Sequence, residues 1–261
     1  MGILPGEVVV KMKNNNNEWA VITGASSGIG RAVAKHLAAQ GKNVLLISRN
    51  QKKLGELREE LLSQSVEVYV AAGDVADAAF IEKTFEDFLA QGKSFNHLIL
   101  CAGEAFIKPF NKTTLDDFEQ LINSNMLGVV HCCKFGLKNL KAGGNIIMMV
   151  SPAGIYGAKG MTAYALSKGG LLAFGKCLAL EVAPKKIRVN MISAGYVKTN
   201  MTESLYGNLP ETLYQQIVER YPLGVGDVQD VVNCIDFLIS EQAKWITGAV
   251  FPVDGGFTAG I

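Results

Sequence analysis

Seven short apolar runs, separated by longer segments with helical spacing, constrain this chain more than any other feature. The runs are WAVIT (19–23), NVLLIS (43–48), VEVYVAA (66–72), HLILCA (97–102), NIIMMVS (145–151), IRVNMIS (187–193) and AVFPV (249–253). Their consecutive apolar positions describe strands buried on both faces, and the amphipathic stretches at about 28–40, 51–63, 77–91, 114–136, 160–183 and 227–239 describe the helices that cover them. The pattern predicts an α/β fold, a doubly wound, mainly parallel sheet of seven strands with helices on both faces. Such a sheet binds ligands beyond the carboxyl ends of its strands. With 261 residues, 49% of them hydrophobic, the chain has material for one large α/β domain or two small ones. The lack of any linker-like stretch favours one, spanning 18–261.

Two segments break the rhythm. Residues 1–17 end in the asparagine run Asn14–Asn17, which favours turns and solvent, and are read as a flexible N-terminal extension. Residues 196–224 separate the sixth strand from the last helix by far more than such connections need, and are expected to form a lid over a substrate.

Composition removes several classes of function. The 25 basic and 24 acidic residues are spread along the chain, which disfavours nucleic acid and anionic membrane surfaces as partners. No apolar stretch approaches the ~20 residues of a membrane-spanning helix, and the N-terminus lacks the pattern of a secretory signal, so a soluble, cytoplasmic protein is expected. Cys101, Cys132, Cys133, Cys177 and Cys234 form no CxxC pair and no Cys/His ligand spacing, and read as buried thiols in a reducing compartment. His and carboxylate residues do not cluster, so no metal is expected.

TGASSGIG (23–30) follows the first strand and opens a helix, the context that a dinucleotide-binding turn requires. Gly24 permits the tight turn, Gly28 lets a pyrophosphate approach the backbone, and Gly30 lets helix and strand pack closely. The helix N-terminus supplies N–H groups and positive dipole.

The Gly-x-x-x-Gly-x-Gly spacing, taken with the fold rhythm, resembles the short-chain dehydrogenase/reductase family. The resemblance runs from Glu18 to the C-terminus and includes WITGAVFPVDGGF (245–257), similar to the family's closing strand and glycine turn. It implies a Rossmann-type domain in which Ser26, Ser27 and Ile29 of the turn also border the cofactor. An NAD enzyme of this fold usually ends its second strand in Asp or Glu, which repels a 2′-phosphate. Here the strand ends in Ser48-Arg49, and a serine with an arginine fork suits that phosphate, so NADP(H) is the expected cofactor. Ser27 stands where the family often has a second basic residue. Asp74-Val75 matches the pair that contacts adenine, Ala102-Gly103 the segment that lets the cofactor pass, and Val197 with Thr199 the site of the carboxamide. Two positions depart: Leu100-Cys101 replaces Asn-Asn, and Ala194-Gly195 replaces Pro-Gly.

Tyr-x-x-x-Lys alone is common by chance, and the plain alternative is a helix whose Tyr and Lys share a face. The joint arrangement is more specific. Ser151 ends the fifth strand, Tyr164 and Lys168 open the next helix, and the thirteen-residue Ser-to-Tyr spacing and Asn125 match the family's four catalytic residues. A phenol of pKa about 10 is a poor proton donor at neutral pH, and a neighbouring ammonium favours its phenolate. The family pattern implies that Ser151 holds a substrate carbonyl oxygen, Tyr164 protonates it, Lys168 supplies charge and binds the nicotinamide ribose, and Asn125 holds a water leading to solvent. A serine hydrolase lacks its parts here: no Gly-x-Ser-x-Gly elbow exists, and His36, His97 and His131 fall in helix or strand patterns.

The chain is most similar to 3-oxoacyl-(acyl carrier protein) reductases and their relatives. That similarity implies ketone reduction on a small-molecule or carrier-bound substrate, an acidic acyl carrier protein docking near Lys185, Lys138 and Lys141, and a homo-oligomer, dimer or tetramer, paired through the helices at 114–136 and 160–183 and through the closing strand. Met201, Leu205, Tyr206, Leu209, Leu213 and Tyr214 of the lid suit an apolar acyl, steroid or polyketide body, or simply pack the lid down. The reading from another class is a nucleotide-sensing protein that kept the fold and lost turnover.

Overall fold

The computed structural model describes residues 18–207 and 209–260, so the extension at 1–17 lies outside the described residues. All seven predicted strands form: β1 Trp19–Thr23, β2 Asn43–Ser48, β3 Val68–Ala72, β4 Phe95–Leu100, β5 Leu140–Val150, β6 Arg188–Ala194 and β7 Val250–Val253. They make one sheet in the order β3-β2-β1-β4-β5-β6-β7, and every pairing is parallel, where a mainly parallel sheet was expected.

The helices are α1 Gly28–Ala39, α2 Gln51–Leu62, α3 Ala78–Ala90, α4 Leu115–Leu121, α5 Gly128–Gly136, α6 Ala153–Tyr156, α7 Thr162–Val182, α8 Asn200–Tyr206, α9 Glu211–Val218 and α10 Val228–Ile239. The strands supply both cores by simple alternation. Val21, Leu45, Ile47, Ile146 and Met148 face one layer, with Phe85 of α3, Cys132 of α5 and Leu171 of α7. Ala20, Ile22, Val44, Leu46 and Ile147 face the other, with Leu37 of α1, Leu57 of α2 and Ile235 of α10. Burial on both faces is why the strands read as continuous apolar runs.

The chain enters the sheet at its centre, winds outward through β2 and β3, then returns to place β4 beside β1. The loops leaving β1 and β4 therefore diverge at the carboxyl edge, opening the crevice in which such folds bind ligands. The helix predicted at 114–136 is interrupted by a π-helical segment, Ile122–Leu127, which carries Asn125. Between β6 and α10 the chain forms α8 and α9 over this same edge.

One expectation from composition and one from the resemblance need correction. Cys177 is exposed, not buried, because α7 is apolar on most of its circumference and one side faces outward. Lys138 and Lys141 flank the start of β5, and Lys185 precedes β6. All three thus lie at the amino edge, and the nine residues of β5 beyond Lys141, at roughly 3.3 Å each, separate that edge from Ser151. A carrier held by these lysines would sit at the opposite end of the sheet from the same chain's site. Among the described residues, no helix is long and apolar enough to cross a membrane.

Candidate active site

Two cavities meet at the carboxyl edge. The smaller, about 200 Å³, is bordered by the β1–α1 turn, the ends of β2 and β3, and Ala102-Gly103 after β4. The larger, about 510 Å³, lies over Ser151, Tyr164 and Lys168 and beneath α8. They share Ile29, Cys101, Gly103, Glu104, Thr199 and Met201, so they form one continuous cleft.

The smaller cavity fits the adenosine and pyrophosphate of a dinucleotide. Gly24 has φ +67° and sits so near the β4 loop that an added Cβ would lie 2.9 Å from Cα of Ala102. One added to Gly30 would lie 2.5 Å from the carbonyl oxygen of Gly24. Asn50, Asp77 and Asp227 cap α2, α3 and α10 with their side chains, whereas Ser27 at the head of α1 makes no such bond and no acid lies in that first turn. The N–H groups and dipole of α1 therefore face the cleft without a competing anion. Gly28, Ser26, Ser48, Asp74 and Val75 border the same space. The Ser26 and Ser48 hydroxyls bond each other at 2.7 Å, and Asp74 accepts from the Ala76 N–H at 3.0 Å. Arg49 is 61% exposed at its rim, paired with Glu104, and 3.8 Å from an oxygen of Asp74.

Cys101, which replaces asparagine, is a thiol that burial pushes up to about 12. Bracing of this loop falls instead to Thr23, whose hydroxyl accepts from the Ala102 N–H at 3.1 Å. Farther along the cleft, Thr199 caps α8, with Thr202 returning a bond to the Thr199 N–H at 3.0 Å and donating to the Val197 carbonyl at 2.7 Å. Thr202 was not expected from sequence, since a capping box there shows only once the helix start is known.

Ser151, Tyr164 and Lys168 converge as their spacing suggests. Ser151 follows the last residue of β5, and its oxygen accepts from the Ala153 N–H at 3.3 Å in the turn that Pro152 opens. The Tyr164 hydroxyl is pushed up to about 12 by burial, partly offset by a hydrogen bond with Ser151. This corrects the expectation that the lysine holds the phenol below its ordinary value. Lys168 is itself buried at 5% exposure; its Nζ donates to the Met149 carbonyl at 2.9 Å and stands 5.9 Å from the centre of the Tyr164 ring. Burial pulls its ammonium down to about 8.

Asn125 is fully buried, and its side chain is saturated. Its oxygen accepts from the Glu104 N–H at 2.7 Å and from Ser124 at 3.3 Å; its nitrogen donates to the Glu104 carbonyl at 2.9 Å and to the Ser167 hydroxyl at 3.1 Å. An amide has no further hydrogen-bonding position, so this side chain cannot also hold the water expected of it. It joins the β4 loop to the helix that carries Tyr164 and Lys168.

Most of the outer wall of the larger cavity escaped sequence reasoning. Tyr196 packs against Tyr206, Tyr214 and Tyr221 with ring centres 5.1, 6.2 and 6.3 Å apart, and Tyr221 stacks on Phe257 at 4.8 Å. Met201, Leu205 and Tyr206 line the cavity as expected, but Leu209, Leu213 and Tyr214 do not. Burial pushes the Tyr221 phenol up to about 12 and raises those of Tyr196 and Tyr206 as well, so these three stay neutral.

A family model described as enoyl-(acyl carrier protein) reductase matches residues 24–258. A 3-oxoacyl-[acyl-carrier-protein] reductase of Chlamydia trachomatis is 33% identical over 245 residues, 92% of this chain and 97% of that one. The chain belongs to the short-chain dehydrogenase/reductase family. A human relative carrying the same description is 34% identical over 90% of this chain and 95% of its own. Among solved structures, a short-chain dehydrogenase/reductase of Brucella melitensis superposes with a TM-score of 0.85 at 30% identity, covering 92% of this chain and 96% of that one. A blue fluorescent protein from a metagenomic library, solved in complex with NADPH, gives 0.87 at 28% identity, covering 94% and 100%. The chain is thus an oxidoreductase of this family.

Proposed function

We propose that the protein uses NADPH to reduce a ketone with an apolar body to a secondary alcohol, reversibly, with Tyr164 as proton donor. The observation that carries this reading is the meeting of Ser151, Tyr164 and Lys168 at the floor of a cleft whose other end fits a dinucleotide. The NADPH bound by the metagenomic relative supports the cofactor, and so does Arg49 at the end of β2, where an acid would turn the phosphate away. When bound, the cofactor supplies hydride to the carbonyl carbon.

The residues divide the remaining work. Ser151 and Tyr164 line the same cavity, and a carbonyl oxygen that accepts from both hydroxyls would be polarised and held by one face. With a pKa near 12 the phenol is fully protonated at neutral pH. It is a strong enough acid only for an oxygen that is becoming an alkoxide, so proton transfer accompanies reduction and does not precede it. Lys168, charged below about pH 8, stabilises the phenolate left behind and would also reach the nicotinamide ribose. Asn125 acts as a positioning residue through Glu104 and Ser167. We read α8 and α9 as the lid, held to the body by the tyrosine cluster, on a chain that folds as one domain from residue 18. Leu166 and Leu180, exposed on α7, are the surface through which we expect two copies to pair.

The cavity supports an apolar substrate class: its aromatic and aliphatic walls suit an acyl or ring-bearing ketone, and the relatives named 3-oxoacyl-[acyl-carrier-protein] reductase favour 3-oxoacyl thioesters. The test is NADPH oxidation with 3-oxoacyl thioesters beside cyclic ketones. Turnover of at least one series supports a ketoreductase; NADPH binding without turnover of any would favour a nucleotide-sensing protein.

A further inference from the structure

One contact in the cleft has no part in the proposed reaction. Arg49, after β2, and Glu104, after β4, reach from opposite sides of the smaller cavity and form an ion pair. The second Glu104 oxygen accepts from Gln120 Nε2 at 2.6 Å, and the Glu104 backbone is fixed by Asn125, its N–H donating to the amide oxygen and its carbonyl accepting from the amide nitrogen. The carboxylate is therefore held in place and is only 21% exposed. Asp74 approaches the same guanidinium from the β3 side at 3.8 Å. Among the described residues, Arg49, Asp74 and Glu104 are the charged side chains bordering this cavity. One cation thus faces two carboxylates, an unfavourable balance for a phosphate dianion.

We infer that Glu104 is a specificity-determining residue. It holds Arg49 by the face that a ribose 2′-phosphate would take, so a dinucleotide with that phosphate must displace it and one without need not. This inference rests on reading Arg49 as the phosphate-holding residue. Because the pair is anchored on one side and largely exposed on the other, its strength is that of a surface ion pair. Its removal changes affinity several-fold, not by orders of magnitude.

The test is calorimetric titration of the full chain with 2′,5′-ADP and with 5′-ADP, two probes that differ by one phosphate and require no turnover. Glu104→Gln keeps the shape and the acceptor for Gln120 while removing the charge. It is expected to tighten 2′,5′-ADP by about threefold to fivefold and to leave 5′-ADP within about twofold. An unchanged ratio of the two affinities, or a weaker 2′,5′-ADP, overturns the inference. Glu104→Ala must shift the ratio in the same direction, which guards against a packing effect of the glutamine. Arg49→Ala separates the two readings. If it abolishes the preference for 2′,5′-ADP while Glu104→Gln does nothing, only the role of Glu104 fails. If wild type shows no preference and Arg49→Ala changes neither affinity, the assignment of Arg49 fails and this inference with it.

Discussion

Replacing Lys168 with methionine should make the protein more stable at neutral pH while removing its function. The lysine is 5% exposed, and burial lowers its pKa from 10.5 to about 8. At about 1.4 kcal/mol per pH unit, holding it charged at pH 7 costs the folded state about 3 kcal/mol. Methionine fills nearly the same volume without the charge but leaves the Met149 carbonyl without its donor, a loss of about 1–2 kcal/mol. The net gain at pH 7 is about 1–2 kcal/mol, or roughly 2–5 °C in Tm for a chain of this size. The sign follows from proton counting. Between pH 8 and 10.5 the unfolded lysine binds more protons than the folded one, so wild-type stability rises with pH across that window. The advantage of Lys168→Met must therefore shrink above pH 8 and reverse between about pH 9 and 10, where the neutral amine still donates to Met149. Urea melts of both proteins at several values between pH 7 and 10.5 give the difference directly. A variant less stable than wild type at pH 7, or a difference that does not change with pH, would refute the reasoning. The predicted outcome would mark Lys168 as a residue kept for chemistry against its own fold.

The same titration should appear in the rate. With saturating cofactor, single-turnover reduction should be level up to about pH 7.5 and decline as Lys168 loses its proton near 8, with no break from Tyr164 below about 11. At the other end of the cleft, Gly30→Ala would drive a Cβ to 2.5 Å from the Gly24 carbonyl. It should cost about 1–3 kcal/mol of stability and at least tenfold in NADPH affinity, readable by melting and by fluorescence titration.

The fold was legible because each strand is buried on both faces, which writes an apolar run, and because the helices between them carry one apolar stripe each. Boundaries moved where local chemistry overrode the pattern. β5 begins at Leu140 and not at residue 145, since Leu140 pairs with Phe95 ahead of a register shift and the stretch 141–144 after it carries no apolar run, and the break at Ile122–Leu127 holds Asn125, which bonds the Glu104 backbone. Ser151, Tyr164 and Lys168 were legible from spacing, because a strand end and the next helix start meet at one edge. Their electrostatics were not: periodicity cannot say how deeply a phenol is buried, and depth reverses the sign expected from a nearby ammonium. Glu104 and Tyr196 were missed because their partners, Arg49 and the lid rings, are remote in sequence, and no fixed spacing connects them.

The central claim is that the Tyr164 proton, and nothing else in the cleft, completes the reduction. Tyr164→Phe keeps the ring and removes the hydroxyl, so NADPH affinity should stay within about twofold while single-turnover reduction of the best 3-oxoacyl thioester falls by about 10²–10⁴-fold. A variant that binds NADPH normally and reduces the ketone at the wild-type rate would contradict the account.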